Sequence, residues 1–238
     1  LNEKQAIREK VWTDLTEQKA GRFPFPLEGR IPNFKGAEAA AEQLFQLSIY
    51  KEANVVKVNP DSPQLPIRTQ VIKDQKTLLI PTPRLKDGFV VILPGTVPTG
   101  EERKAASLKH MNAYGKVTPL HELPEIDLML MGSVAVDFGG HRIGKGAGFA
   151  DREYGIIREI GNRAIPVVTT IHELQLIESS LPSAHYDVSM DYVITNERII
   201  EVQKSHKSTG IDWSIVSEDD LDEMPILREL KELKSSNA

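Results

Sequence analysis

Between residues 139 and 155 the chain reads GGHRIGKGAGFADREYG, which holds six of its 16 glycines together with Arg142, Lys145 and Asp151. Three uses compete for such a stretch: a phosphate cradle, the turn of a dinucleotide site, or a flexible loop between two elements. Without a Cβ the main chain can approach an anion closely, and successive N–H groups can point at it. Two familiar patterns fail on spacing. The series G-x-x-x-x-G-K-[ST] is met from Gly139 to Lys145, but Gly146 stands where a magnesium-binding hydroxyl is needed. The series G-x-G-x-x-G fails because Gly144, Gly146 and Gly148 are spaced as G-x-G-x-G, and Val167–Ile171 offers no acidic residue for a ribose. A tight turn accounts for glycines, but not for Arg142 and Lys145 among them.

Other chemistry has less support. The six histidines show no metal-ligand spacing, so His172 and His185 read as structural or surface residues, and no serine lies in G-x-S-x-G. Lys4 and Arg8 lie one helical turn apart and taken alone read as a solvated helix face. Asp151 suits a helix N-cap, and Asp187 and Asp191 could decorate the entry to a strand.

These residues need elements to hold them. Ile7, Val11 and Leu15 recur at four-residue spacing, which predicts an amphipathic helix from Asn2 to about Glu17. An irregular Pro- and Gly-rich connection follows, then a helix from Ala37 to about Ile49, a strand in NVVKVNP, a helix over Ile67 to Lys73, and strands in KTLLIP and GFVVILPG. A helical segment spans Arg103 to Tyr114, and EIDLMLMGSVAVDFGG reads as one buried strand that runs into the glycine cluster. A helix from Asp151 to Ile160, a strand in AIPVVTT, and a hairpin of YVITN and IIEVQ about Glu197-Arg198 complete the pattern. Apolar strands alternating with helices predict an α/β fold: a three-layer, mainly parallel sheet with helices on both faces. The glycine stretch then lies between a strand and a helix N-terminus, where anions are favoured.

The chain's 238 residues suffice for one large domain, expected over residues 1–203, with 204–238 as an acidic linker and a short helix. A net charge of -5 gives no global field for nucleic acid or anionic membranes, so any basic site is local. The absence of cysteine removes disulfides and thiolate chemistry. No apolar run is long enough to cross a membrane, and a cytoplasmic protein is expected.

The stretch VDFGGHRIGKGAGFADREYG resembles the signature of the 5-formyltetrahydrofolate cyclo-ligase family, approximately F-D-x-x-G-x-R-L-G-x-G-x-G-Y-Y-D-R. Asp137, Gly140, Arg142, Gly144, Gly146, Gly148, Asp151 and Arg152 fall in register. KQAIR (Lys4 to Arg8) is similar to the family's K-x-x-L/I-R, and HYDVSMDYVITNE to its later acidic segment, so the resemblance runs from about Lys4 to about Gln203. It implies conversion of 5-formyltetrahydrofolate to 5,10-methenyltetrahydrofolate with Mg-ATP, through phosphoryl transfer to the formyl oxygen, attack by N10 and loss of phosphate. It also implies that Lys4, Arg8, Arg142, Lys145 and the backbone of Gly144, Gly146, Ala147 and Gly148 bind ATP. Arg142, Lys145 and Asp151 would act in catalysis, Asp151 and Asp191 would hold Mg2+, and Phe149 would pack near the pterin or the nucleotide.

Departures mark this chain. Phe149 and Ala150 replace two aromatics, and Ala147 stands where some members have Lys. NPDSPQLPIR replaces an acidic segment whose Glu contacts folate, which puts the cation Arg68 near the substrate. These features resemble the divergent subgroup called methenyltetrahydrofolate synthase domain-containing proteins. The expected partner is a reduced folate, bound by a monomer or homodimer. The alternative is a non-catalytic nucleotide-binding regulatory or scaffold protein on the same fold.

Overall fold

The computed structural model describes residues 2–161 and 163–236. Helix α1 (Glu3–Glu17) opens the chain, and its N-cap Asn2 accepts the Lys4 N–H through its side chain at 3.1 Å. The connection after it contains the short pair β1 (Gly21–Arg22) and β2 (Asn33–Phe34). The helix expected from Ala37 to Ile49 divides into α2 (Ala37–Phe45) and α3 (Ser48–Lys51). Then come β3 (Val55–Val58), α4 (Leu65–Lys73), β4 (Thr77–Pro81), β5 (Phe89–Ile92), α5 (Glu102–Ala105) and β6 (Lys116–Thr118).

The run read as a single strand into the glycines is two strands in different sheets. Strand β7 (Leu128–Leu130) belongs to the large sheet, whereas β8 (Ala135–Asp137) turns back as a hairpin with β9 (Arg142–Ile143). The chain leaves the large sheet at Gly132, where a Cβ would stand 2.8 Å from both the Asp61 carboxylate and the Ile31 side chain. Helix α6 (Phe149–Gly161) starts two residues earlier than expected, so Asp151 lies inside its first turn instead of capping it. Beyond it lie β10 (Val167–Ile171), β11 (Leu176–Ile177), β12 (Tyr192–Thr195) and β13 (Ile199–Glu201). Thr195 pairs with Arg198, so the last hairpin turns about Asn196 and Glu197, one position before the expected pair. Helices α7 (Glu218–Glu223) and α8 (Ile226–Ser236) end the described chain.

Eight strands form one sheet in the order β13-β12-β10-β7-β3-β4-β5-β6. From β12 to β4 every pair is parallel, while β13, β5 and β6 add antiparallel edges. One face packs Val56, Val58, Leu78, Ile80, Leu128 and Leu130 against α2 and α4. The other packs Leu79, Met129, Val167 and Val193 against Tyr154, Ile156 and Ile157 of α6, with Leu221, Met224, Leu227 and Leu230 of α7 and α8 in the same core. Side chains alternate in a strand, so the continuous apolar runs reflect burial of both faces. A second sheet, β11-β8-β9, carries α1 through contacts of Val11, Trp12 and Leu15 with Val134, Ala135 and Ile143.

Asp127 ties two central strands together at their entry: its Oδ2 accepts the N–H groups of Asn54 and Val55, both at 2.9 Å. Partial burial alone would raise this carboxyl, but those hydrogen bonds and the Arg163 guanidinium outweigh it and hold it below its ordinary 3.8. A carboxyl depressed by folding stabilises the protein above its unfolded pKa and loses that contribution as pH falls through the folded value. Asp127→Ala should therefore cost about 1–3 kcal/mol at pH 7, and urea unfolding should show the difference from the parent shrinking below about pH 4.

Candidate functional site

The parallel strands determine where a site can form. From β3 the chain passes over one face through α4 to β4, and from β7 it passes over the other face through α6 to β10. The crevice at the carboxyl ends of β3 and β7 is thus a topological switch point, the place where open α/β sheets bind ligands. A cavity of about 620 Å³ lies there, with walls from the Asn59–Asp61 turn after β3, the start of α1, the loop from Arg142 to Asp151, and Tyr186 and Asp187.

Lys4 and Arg8 project from the first turns of α1. Lys4 Nζ donates to Asp187 Oδ2 at 2.7 Å. Arg8 is buried and gives its Nε–H to the Gly144 carbonyl at 2.6 Å, and the loop runs so close beneath it that a Cβ on Gly146 would lie 3.5 Å from its Cζ. Arg142 is also buried, donating to the Gly132 carbonyl at 2.8 Å and to Asp151 Oδ2 at 3.4 Å. Burial, and then repulsion from Arg142, lowers the Arg8 pKa. Among the described residues Arg8 meets no carboxylate within 4.0 Å, and Lys145, about half exposed, reaches only Asp61 at 3.9 Å. The backbone N–H groups of residues 144–148 donate to no other group among the described residues. Gly146 and Gly148 have φ of +112° and +70°, a conformation that turns successive N–H groups to one side at little cost for glycine. Unpaired guanidinium, free amides and the N-terminus of α6 together favour an anion with several oxygens.

The carboxylates need separate accounting. Asp151 Oδ1 accepts the Val188 N–H at 2.9 Å, which draws the segment bearing Asp187 to the start of α6. Asp191 is not brought to the cavity. It precedes β12 at the amino end of the parallel strands, where its oxygens accept the Val167 N–H at 2.8 Å, Lys207 Nζ at 2.7 Å and Ser205 Oγ at 2.6 Å. The three residues between Asp187 and Asp191 carry the chain to the other end of the sheet. Asp187, which the sequence left as a decoration of the strand entry, lines the cavity beside Asp151. No group of three or more His, Asp or Glu side chains arranged to hold a metal occurs among the described residues. Mg2+ asks for less, since it keeps several waters and takes one or two carboxylates plus substrate phosphates, and Asp151 with Asp187 meets that requirement.

Arg68 also departs from expectation, for its guanidinium does not line the cavity. Buried beneath it, Arg68 donates to the carbonyls of Asn59 at 2.6 Å, Asp61 at 2.9 Å and Ala106 at 2.8 Å. Desolvation pulls its pKa down to about 10, with Asp61 opposing the shift, so it remains charged at neutral pH. The same stretch supplies Asp61 to the cavity wall, so replacement of the expected acidic segment does not strip the pocket of a carboxylate. Phe149 and Ala150 line the wall, with Phe149 also touching the core around α6. Asp137, in register with the family signature, organises the β8–β9 turn by accepting from the His141 N–H at 2.9 Å and the Leu181 N–H at 2.8 Å.

Sequence reasoning passed over Lys57, Asn59, Asp61 and Glu153. The signal present was Lys57 itself, a lone charge in an apolar strand, which is rare unless paired.

Fold and site thus define an α/β protein with a crevice at its switch point where Arg8, Arg142, Lys145 and free backbone amides gather. The sequence profile of the 5-formyltetrahydrofolate cyclo-ligase family matches residues 1–196, and the chain belongs to that family. It is 42% identical over 236 residues to the methenyltetrahydrofolate synthase domain-containing protein of Bos taurus, and 38% identical over 235 residues to that of Homo sapiens. Each alignment covers 96% of this chain and 62% or 61% of the relative, so the chain spans about three fifths of these longer proteins. The NMR structure of Aquifex aeolicus 5,10-methenyltetrahydrofolate synthetase shares the fold, with a TM-score of 0.54 at 18% identity, covering 90% of this chain and 99% of that one.

Replacing Arg68 by Met should leave the buried carbonyl oxygens of Asn59 and Ala106 without a donor, while that of Asp61 keeps the Gln64 N–H at 3.1 Å. The expected cost is on the order of 3 kcal/mol, measured by urea unfolding, with a stability within 0.5 kcal/mol of the parent contradicting the assigned role.

Proposed function

We propose that the chain uses ATP to convert 5-formyltetrahydrofolate, or a related reduced pterin, to its 5,10-methenyl form with release of ADP and phosphate. The observation that carries this reading is the pair of buried guanidiniums, Arg8 and Arg142, facing a glycine loop whose amides are free. Holding like charges together is unfavourable unless a polyanion completes the site. In this reading Arg8, Arg142, Lys145 and the amides of residues 144–148 hold the triphosphate, with Lys4 oriented by Asp187. Asp151 and Asp187 would hold Mg2+, which when bound neutralises phosphate charge. Phe149 and Tyr186 offer apolar surface to a ring.

The chemistry asks the protein chiefly for position and charge. A formyl oxygen is a poor leaving group. Once it carries the γ-phosphoryl, N10 can close the ring and the oxygen departs with phosphate. In this reading Arg142 and Lys145 would neutralise the charge that moves from the nucleotide to the new phosphate, which is electrostatic stabilisation of the transferring group. Arg142 is anchored on the Gly132 carbonyl and so needs little reorganisation during the step.

The direct test is incubation with Mg-ATP and 5-formyltetrahydrofolate while the absorbance of the methenyl product is followed. Product formation supports the reaction. ATP binding by calorimetry without product would favour a nucleotide-binding regulatory or scaffold role. Lys145→Ala removes a charged hydrogen bond worth about 1.5–3 kcal/mol, so ATP affinity should fall by at least about tenfold. Asp151→Asn should abolish the Mg2+ dependence of ATP binding. Parent-like Mg-ATP titrations in both variants would exclude the assigned cradle.

A further inference from the structure

Strand β3 places one ammonium in an apolar layer. Lys57 pairs in register with Leu79 and Met129, is 0% exposed, and points to the face covered by α6. Removing that charge from water costs several kcal/mol unless it is fully partnered. Its partners are Glu153 of α6, in a short contact through Oε2, and Asn59 Oδ1 at 2.6 Å. Burial raises the Glu153 pKa, and the Lys57 ammonium opposes that rise.

The contact with Asn59 fixes which way its amide faces. An ammonium only donates, so the atom against it must be the carbonyl oxygen, and the NH2 is turned away. The backbone cannot yield either: the Asn59 N–H donates to the Leu130 carbonyl at 3.1 Å, and its own carbonyl is held by Arg68. Two atoms are left over, Asn59 Nδ2 and Glu153 Oε1. Neither has a hydrogen-bond partner among the described residues, neither is sealed in the core, and both residues line the cavity. A rigid N–H donor and a carboxylate acceptor, gathered on one ammonium, therefore look into the cavity with nothing to bind.

We propose that Asn59 and Glu153, locked by Lys57, form a donor–acceptor pair that reads a heterocycle edge on which an acceptor lies beside an N–H. A reduced pterin presents such an edge at its lactam, and adenine presents one at its amino-pyrimidine side. This rests on the reading given under Proposed function and adds the residues that select the ring. A purely structural ion pair would need only one carboxylate for Lys57. A reading pair needs the donor and acceptor in their present places, because a buried polar group left unpaired or opposed costs far more than one matched well.

The double variant Asn59→Asp with Glu153→Gln separates the two. Lys57 keeps one carboxylate, so the charge balance of the core is preserved, but the donor and acceptor positions are exchanged. Calorimetry with ATP and with 5-formyltetrahydrofolate as separate probes should show one of the two affinities falling at least tenfold and the other staying within twofold. Circular dichroism and the thermal midpoint should remain those of the parent. Loss confined to 5-formyltetrahydrofolate assigns the pair to the pterin, and loss confined to ATP assigns it to adenine. Both affinities within twofold of the parent overturn the proposal, and so does an equal fall in both, which marks general distortion. Should the double variant fail to fold, Asn59→Ala removes the donor while leaving the Lys57–Glu153 pair in place, and the same selective tenfold loss is required. A parent that forms methenyl product while the variants keep its affinities sinks this proposal alone. Selective loss of binding without any product sinks the proposed reaction alone. A parent that binds neither probe sinks both.

Discussion

A parallel sheet covered on both faces must reverse its winding direction somewhere, and here the reversal between β3 and β7 organises the molecule. The two strands are neighbours, yet their following helices lie on opposite faces, so their carboxyl ends open onto a crevice that no crossover fills. Everything assigned to binding is arranged around that opening. Arg68 holds the turn after β3 from below, while Gly132 lets the chain leave β7 against Asp61 and Ile31. The small sheet then returns Arg142 to the same place and carries α1, with Lys4 and Arg8, on its back.

Electrostatic imbalance is the second constraint. Away from the crevice wall, buried Arg68 is met by carbonyls, while Arg198 meets the carboxylate of Glu173 and Lys207 that of Asp191. At the crevice Arg8 is buried without one, Lys145 is only loosely paired, and the free amides add partial positive charge. The cations Lys4, Arg8, Arg142 and Lys145 thus share the opening with Glu3, Asp61, Asp151 and Asp187, and Arg8 alone among those four has no carboxylate within 4.0 Å among the described residues. Below them lies the enclosed Lys57–Glu153 pair, whose ammonium also holds Asn59. In the proposed reading the upper groups would take phosphate and the lower ones a ring edge, so that charge and shape would be separated along the depth of the cavity.

The C-terminal segment joins the same core. Residues 217–236 carry many charges, yet Leu221, Met224, Leu227 and Leu230 pack with α6, and Asp220 pairs with Arg152 one residue after Asp151. Lys234 and the Trp213 indole both meet Glu159, two turns further along the same face of that helix. Helix α6 is therefore held at two points along one face, the first of them in the turn that bears Asp151.

Much was legible in the chain itself. Apolar strands alternating with helices implied the layered parallel sheet, the Ile7–Val11–Leu15 spacing implied α1, and the glycines with Arg142, Lys145 and Asp151 marked the loop, because these features depend on local period and residue type. Three-dimensional placement was not legible. That EIDLMLMGSVAVD splits between two sheets depends on what Gly132 touches, residues distant in sequence. Asp187 and Asp191 sit four positions apart and look alike on paper, but the segment between them crosses from the carboxyl to the amino ends of the strands, so only Asp187 reaches the cavity. Arg68 read as a ligand contact and Lys57 as an oddity, since nothing in a one-dimensional pattern says which carbonyls or carboxylates will surround a buried cation. Sequence alone thus determined the layers and the position of the glycine loop with its cations, through periodicity and spacing. Tertiary structure decided which charges face the cavity and which are spent in the core, because pairing of a buried charge is settled by neighbours that only folding brings together.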